Sequence, residues 1–246
     1  MKKIVLIFIV NCSLNLFCQE GFKLDYLASK YTLTSFEGFK KLLSIPNDAN
    51  DKIGIEKNIK WTEEEFGKRG FRVSKIMTMG APLLLAKRDF TATGKTVLIY
   101  LQMDGQPVDP SKWNQENPYV PVLKKMNSSG NWEPLDWNKI YEYNDDWRIF
   151  ARSASDAKGP VSMFLAAIDA IDENGITPNF NIKVILDFEE EMGSPNLPDA
   201  VKKNGELLNS DVLIILDGPR HRLNKPTLTF GARGIATIQL TTYGPI

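Results

Sequence analysis

Histidine and cysteine, the side chains zinc sites draw on first, are nearly missing from this chain. Its 246 residues include one histidine, His221, a very low count for a metalloenzyme, and two cysteines, Cys12 and Cys18. Both cysteines fall near the N-terminus, so the body of the chain has no disulfide of its own and must rely on its core. Net charge is also missing: Lys+Arg and Asp+Glu stand at 30 each. That balance leaves no field to attract nucleic acid or acidic lipid. The longest strongly apolar run, Ile4 to Val10 (IVLIFIV), is too short to span a bilayer. There is no internal repeat, no low-complexity tract, and no glycine-rich loop of the kind that cradles phosphate.

What remains is an ordinary globular composition, 43% hydrophobic, which argues against disorder. The length suits one large domain or one and a half ordinary ones. The N-terminus has the three-part pattern of a secretory signal over residues 1–19. Lys2-Lys3 form the basic start, Ile4 to Val10 the apolar stretch, and cleavage is expected near Cys18-Gln19. The competing reading is a buried N-terminal strand. Export to the periplasm or the exterior follows from the signal reading. Lipid attachment at Cys18 is disfavoured because bulky Phe17 stands where a small residue is expected.

Hydrophobic periodicity predicts helices over Tyr26–Ser44, Ile53–Arg69, from Pro160 or Val161 to Glu173, and around Leu197–Lys203. Phe71–Ile76 and Leu83–Lys87 read as paired strands. Thr96–Leu101 (TVLIYL), Ile182–Phe188 (IKVILDF) and Asp211–Leu216 (DVLIIL) read as strands covered on both faces. Alternation of strands and helices predicts a mostly parallel sheet. Gln106 to Trp147, rich in Pro, Asn, Asp and Trp, reads as one long functional loop or rim. Its tryptophans, Trp113, Trp132, Trp137 and Trp147, are expected to pack that rim. Thr227–Tyr243 alternates and reads as an exposed antiparallel strand opening a new unit.

Acidic residues gather where these strands end: Asp104, Asp156, Glu190-Glu191 and Asp217. Ligands of open α/β sheets bind beyond the carboxyl ends of the strands, and carboxylates gathered there repel one another unless a cation holds them. Three of these have a plainer reading. Asp156 precedes a helix and would serve as its N-cap, Glu189 to Glu191 would be a solvated charge run, and Asp217 would start a turn before Gly218. His221, between Arg220 and Arg222, is either a surface-loop residue or part of a receptor for a substrate carboxylate.

Five segments in order carry a more specific signal: Gln102-Met103-Asp104-Gly105-Gln106-Pro107, Ser155-Asp156-Ala157-Lys158-Gly159, Glu190-Glu191-Met192-Gly193-Ser194, Leu216-Asp217-Gly218, and Gly231-Ala232-Arg233-Gly234. Together they resemble the di-zinc metallopeptidase family of carnosinases, glutamate carboxypeptidases, aminoacylases and acetylornithine deacetylases, from about Tyr26 to the end of the chain. The resemblance implies a three-layer αβα catalytic domain with a mostly parallel sheet over residues 20–226, incomplete at its C-terminal side. It also implies the first strand of an α+β lid, or dimerisation, domain over 227–246. It implies Glu190 as general base, and Asp104 as the aspartate that orients the ligand at residue 102. Asp156, Glu191, Asp217 and the residue at 102 would be ligands of two divalent metal ions, zinc in the family. Beside the resemblance, His221 and Arg233 are candidates for substrate binding, and His221, four residues beyond Asp217, also for a replacement metal ligand. The expected reaction is hydrolysis of an amide in a small peptide or N-acyl amino acid. The family's last histidine ligand follows the lid and falls beyond Ile246, and a homodimer through the lid is expected.

The departure is at residue 102. The family has histidine where this chain has Gln102, whose amide oxygen is a neutral and weaker partner for zinc and suits Mn²⁺ or Mg²⁺, or an empty position, better. Two rival readings follow: a catalytically impaired member kept for binding, and a Mg²⁺ phosphohydrolase, the latter without a phosphate-cradling loop to support it.

Overall fold

The structure is a computed structural model. It describes the backbone of residues 2–218, the side chains from Lys23 onward, and beyond residue 218 only residues 221, 223, 227–231, 234, 236 and 238–244. Two compact units are present, Met1–Leu216 and Asp217–Ile246.

The larger unit opens with a long helix, α1 (Lys2–Leu43), followed by α2 (Lys52–Lys68). Pro46 keeps the two apart. Asp51 caps α2, its Oδ1 accepting from the N–H groups of Ile53 and Gly54 at 3.1 and 3.0 Å. Gly70, at φ 74°, turns the chain out of α2 into the sheet. Then come β1 (Arg72–Ile76), β2 (Leu83–Arg88), β3 (Lys95–Gln102), β4 (Val122–Met126), β5 (Trp132–Pro134) and β6 (Arg148–Phe150). The unit ends with α3 (Lys158–Glu173), β7 (Phe180–Asp187), α4 (Leu197–Lys203), α5 (Gly205–Leu208) and β8 (Val212–Ile215).

The central sheet has the order β1-β2-β7-β3-β8. β3 runs parallel to both β7 and β8, and β2 lies antiparallel to β1 and β7. Four of the five strands therefore point one way, as the sequence predicts. One face of the sheet carries Leu84, Ala86, Ile99, Leu101, Val184 and Leu186 against Leu42, Leu43, Ile59, Phe66, Phe164 and Ile168 of α1, α2 and α3. Phe66 stacks on Phe164 with centroids 5.7 Å apart. Burying each such side chain contributes about 1.5–3 kcal/mol. The other face carries Leu83, Leu85 and Ile185 against Ala200 of α4 and Leu208 of α5. That gives the expected three layers.

Three departures from the sequence reading are instructive. The expected loop Gln106–Trp147 contains β4 and β5, which with β6 form a second, antiparallel sheet of order β5-β4-β6. Its strands of three to five residues are too short to show a period, and Gly130 at φ 80° turns the hairpin. The tryptophans do pack: Trp132 meets Phe150 edge to face at 5.3 Å, and Trp137 meets Phe36 of α1 at 5.9 Å. Second, β8 is not covered on both faces; Val212, Leu213, Ile214 and Ile215 are 43–58% exposed at the sheet edge. Third, the helix expected from Tyr26 is the latter part of the 42-residue α1. Of the segment expected as a signal, residues 1–19, residues 2–19 form the start of α1, with their side chains outside the described residues. Among the described residues no helix is long and apolar enough to cross a membrane, and none of the described residues of 227–246 lies in a strand.

Candidate active site

β3 and β7 are parallel neighbours, and their register sets Gln102 beside Asp187 at their shared carboxyl end. The Met103 N–H donates to Asp187 O at 2.9 Å and carries the pairing one step further. Both Gln102 and Asp104 are buried. Gln102 Nε2 donates to Asp156 Oδ1 at 3.1 Å, which ties the end of β3 to the segment entering α3. α3 begins at Lys158 with Ala157 as its cap residue and no side-chain cap. The N-cap reading of Asp156 is therefore wrong: its carboxylate meets Gln102 instead.

Asp104 reaches across to the segment after β7. Its Oδ2 accepts from the Glu191 N–H at 2.9 Å, at the start of a 3₁₀ turn, Glu190–Met192. Burial pushes the Asp104 carboxyl up to about 6, while the backbone N–H groups of Glu191 and Glu190 pull it back. Its Oδ1 is buried with no donor. The Glu191 carboxylate accepts from Gln106 Nε2 at 2.6 Å.

Sequence reasoning missed the buried groups beneath. Asp187 accepts three hydrogen bonds, from Tyr100 Oη at 3.0 Å, Ser194 Oγ at 2.7 Å and the Glu189 N–H at 2.9 Å. Burial and the Asp187 charge push the Tyr100 hydroxyl well above its ordinary range. Asp187 ends an otherwise apolar strand, which was the available signal. Glu189, which the plainer reading put in a solvated charge run, is a tie: its Oε1 accepts from the Ala81 N–H at 3.0 Å and its Oε2 from Asn196 Nδ2 at 2.7 Å. On the other side Asn47 Nδ2 donates to Met103 O at 2.8 Å and to Ser153 Oγ at 3.0 Å, and Gly105 N–H donates to Asn47 O at 2.8 Å. A Cβ on Gly105 would collide with Ser153 Oγ. Lys158, completely buried, donates from Nζ to Leu42 O at 2.9 Å and Ile45 O at 2.6 Å, holding the end of α1.

The predicted site residues thus fall into three groups. Gln102, Asp104, Asp156, Glu190 and Glu191 lie on segments meeting at one end of β3 and β7. Asp217 follows Leu216, whose N–H donates to Tyr100 O at 3.2 Å, and is the first residue of the second unit. His221 Nδ1 accepts from the Leu223 N–H at 3.2 Å in a local turn, while Arg220, Arg222 and Arg233 lie outside the described residues. The expected carboxylate cluster is not closed: among the described residues no group of three or more His, Cys, Asp or Glu side chains is gathered to hold a metal ion. Like-charged groups repel, and here the Asp156 and Glu191 carboxylates are each engaged by a glutamine amide instead.

Residues 98–231 match the model of Peptidase family M20/M25/M40. The chain belongs to this family. It is 28% identical over 197 residues to the cysteinylglycine-S-conjugate dipeptidase of Corynebacterium striatum, covering 78% of this chain and 38% of that protein. It is 30% identical over 169 residues to the Cys-Gly metallodipeptidase dug1 of Schizosaccharomyces pombe, covering 67% of this chain and 31% of that protein. Among solved structures it is similar to an M20 family metallo-carboxypeptidase of Sulfolobus solfataricus. The TM-score is 0.62 and the identity 30%, over 78% of this chain and 39% of that one. The chain spans well under half the length of these relatives.

M20 peptidases are metal-dependent, usually on zinc. The side chains present fit a divalent cation in kind. Gln102 brings a carboxamide to the Asp156 carboxylate, and the buried Asp104 Oδ1 is an acceptor without a donor. All of the donors at this end are oxygens, which suits the harder divalent cations.

Proposed function

We propose that the protein is a metal-dependent hydrolase of the amide bond in small peptides or N-acyl amino acids, of dipeptidase, carboxypeptidase or deacylase type. What supports it most is the anchoring of the Glu190-Glu191 turn through Asp104 at the strand end where Gln102 meets Asp156, in a chain of the M20 family. Glu190 takes the proton from the attacking water and passes it to the leaving amine, a role that needs a carboxylate fixed at the mouth of the site. Asp104 fixes the backbone that carries Glu190 and Glu191. Gln102, Asp156 and Glu191, and by the family resemblance Asp217, would hold two divalent cations, which would supply Lewis acidity toward the scissile carbonyl and the attacking water. Asp187, Tyr100 and Ser194 keep the turn in place from below. His221 and Arg233 receive the substrate carboxylate. Residues 1–19 direct export.

The test is hydrolysis of the dipeptide Cys-Gly and of an N-acetyl amino acid by the full-length protein, with metal content measured alongside. Glu190→Ala should abolish turnover and leave bound metal unchanged. Unaltered turnover in that variant would falsify the assignment. A second reading, a family member kept for binding, draws on Gln102. It requires full-length protein that takes up no stoichiometric metal and turns over neither substrate.

A further inference from the structure

The face of the sheet carrying α4 and α5 has a basic cavity. Lys87 on β2 and Lys183 on β7 are direct cross-strand partners, both on the side of the sheet occupied by Leu85 and Ile185. Like charges placed opposite one another destabilise an antiparallel pair. Lys183 is braced, its Nζ donating to Leu207 O at 3.0 Å and Asn209 O at 2.6 Å. Lys87 has neither a hydrogen bond nor an ion pair among the described residues, and burial first, then the Lys183 charge, pushes its ammonium below the ordinary lysine range. Lys202 and Lys203, in the last turn of α4, line the same cavity of about 730 Å³, and Glu206 is the sole acidic residue in its wall. Four cations face one anion in an open groove, where Asp89 offsets only part of the charge felt at Lys87.

We propose that this cavity binds a phosphoryl-bearing anion, either a free polyphosphate or a phosphate ester, on Lys87, Lys202 and Lys203, with Lys183 as the fixed charge behind them. An anion there offsets the repulsion built into the Lys87–Lys183 pair, and compact ammonium groups are suited to phosphate oxygens. Lys183 lies four residues before Asp187, about 13 Å along the strand, so the cavity is separate from the candidate active site.

The test is calorimetric titration of the full-length protein with inorganic phosphate, pyrophosphate, adenosine diphosphate and citrate, all at one ionic strength so that screening is constant. Pyrophosphate should bind more tightly than phosphate. Lys87→Met should weaken it about tenfold, and Glu206→Gln should tighten it severalfold, each tenfold step being about 1.4 kcal/mol. Tighter binding of the nucleotide than of pyrophosphate assigns the ester, and the reverse order assigns the free anion. Binding must survive Asp156→Asn, because pyrophosphate held by a cation at the other end of the sheet would be lost there. The proposal is overturned by unchanged affinity in both Lys87→Met and Glu206→Gln, by loss of binding in Asp156→Asn, or by citrate binding as tightly as pyrophosphate.

Discussion

Replacing Lys158 with methionine sets two effects of opposite sign against each other. The ammonium is completely buried, and burial pushes its pKa down to about 7, so removing the charge relieves a desolvation cost. Against this, Nζ donates to Leu42 O at 2.9 Å and Ile45 O at 2.6 Å. Both carbonyls belong to the last turn of α1 and the residues just past it, where orphan acceptors and the helix dipole favour a cation. Each acceptor left buried without a donor costs about 1–3 kcal/mol. Leu42 O keeps the Ile45 N–H at 3.2 Å, so Ile45 O alone is left without a donor; that cost outweighs the relief of an already weakened charge, and the expected net loss is about 1 kcal/mol. Urea melts of the full-length protein followed by circular dichroism read this directly as a lower midpoint at unchanged slope. Exposed Lys41, one residue before Leu42 on α1, supplies the control: Lys41→Met should stay within about 0.5 kcal/mol. A Lys158→Met variant as stable as the parent, or more so, would refute the reasoning and show that the charge is a net burden.

Gln102→His should tighten zinc about tenfold, or about 1.4 kcal/mol, in a chelator competition assay; equal affinity would mean that residue 102 does not face the cation. Asp187→Ala strands the Tyr100 hydroxyl, the Ser194 hydroxyl and the Glu189 N–H. The expected loss in chemical denaturation is about 3 kcal/mol, and a loss below about 1 kcal/mol would show that water replaces the carboxylate. Gly105→Ala drives a Cβ into Ser153 Oγ and should cost about 1–3 kcal/mol. Ser153 sits at φ 58°, where glycine is at ease, so Ser153→Gly in the same chain should recover part of that loss. Additive losses in the double-mutant cycle would contradict the contact.

Long, strongly patterned elements were legible in the sequence because one physical signal dominates each. Phe164 and Ile168, read from their helical spacing, do lie on the buried side of α3, although Met163 and Ala167, read with them, are exposed, and the apolar run ending in Asp187 declares β7. β4, β5 and β6 were not legible because strands this short carry fewer than three alternations, while Pro, Asn and Gly around them read as loop. The exposure of β8 was hidden for a different reason: Val212 to Ile215 are as apolar as β7, and composition does not say whether a strand is central or at an edge. At the candidate site, the acidic positions could be read from their place after strands, but their partners could not. Asn47 and Lys158 act through backbone carbonyls, and a carbonyl leaves no mark in a sequence.

The partners explain how so many carboxylates share one end of a sheet. Asp104 receives the Glu191 N–H, Asp187 the Glu189 N–H and the Ser194 hydroxyl, and Glu189 the Ala81 N–H and the Asn196 amide. Three of the acidic groups are therefore spent on fixing the segment from Asp187 to Asn196 to β3 and to the β1–β2 turn. A carboxylate satisfied by backbone N–H donors keeps its charge at lower cost than one facing only other carboxylates. Gly80 belongs to the same arrangement, because a Cβ there would run into the Glu189 carboxylate and Asn196. The segment is thus held from three directions before any ligand arrives. Glu190 and Glu191 extend from a backbone that has little freedom left to lose on binding, which is the condition for preorganised chemistry.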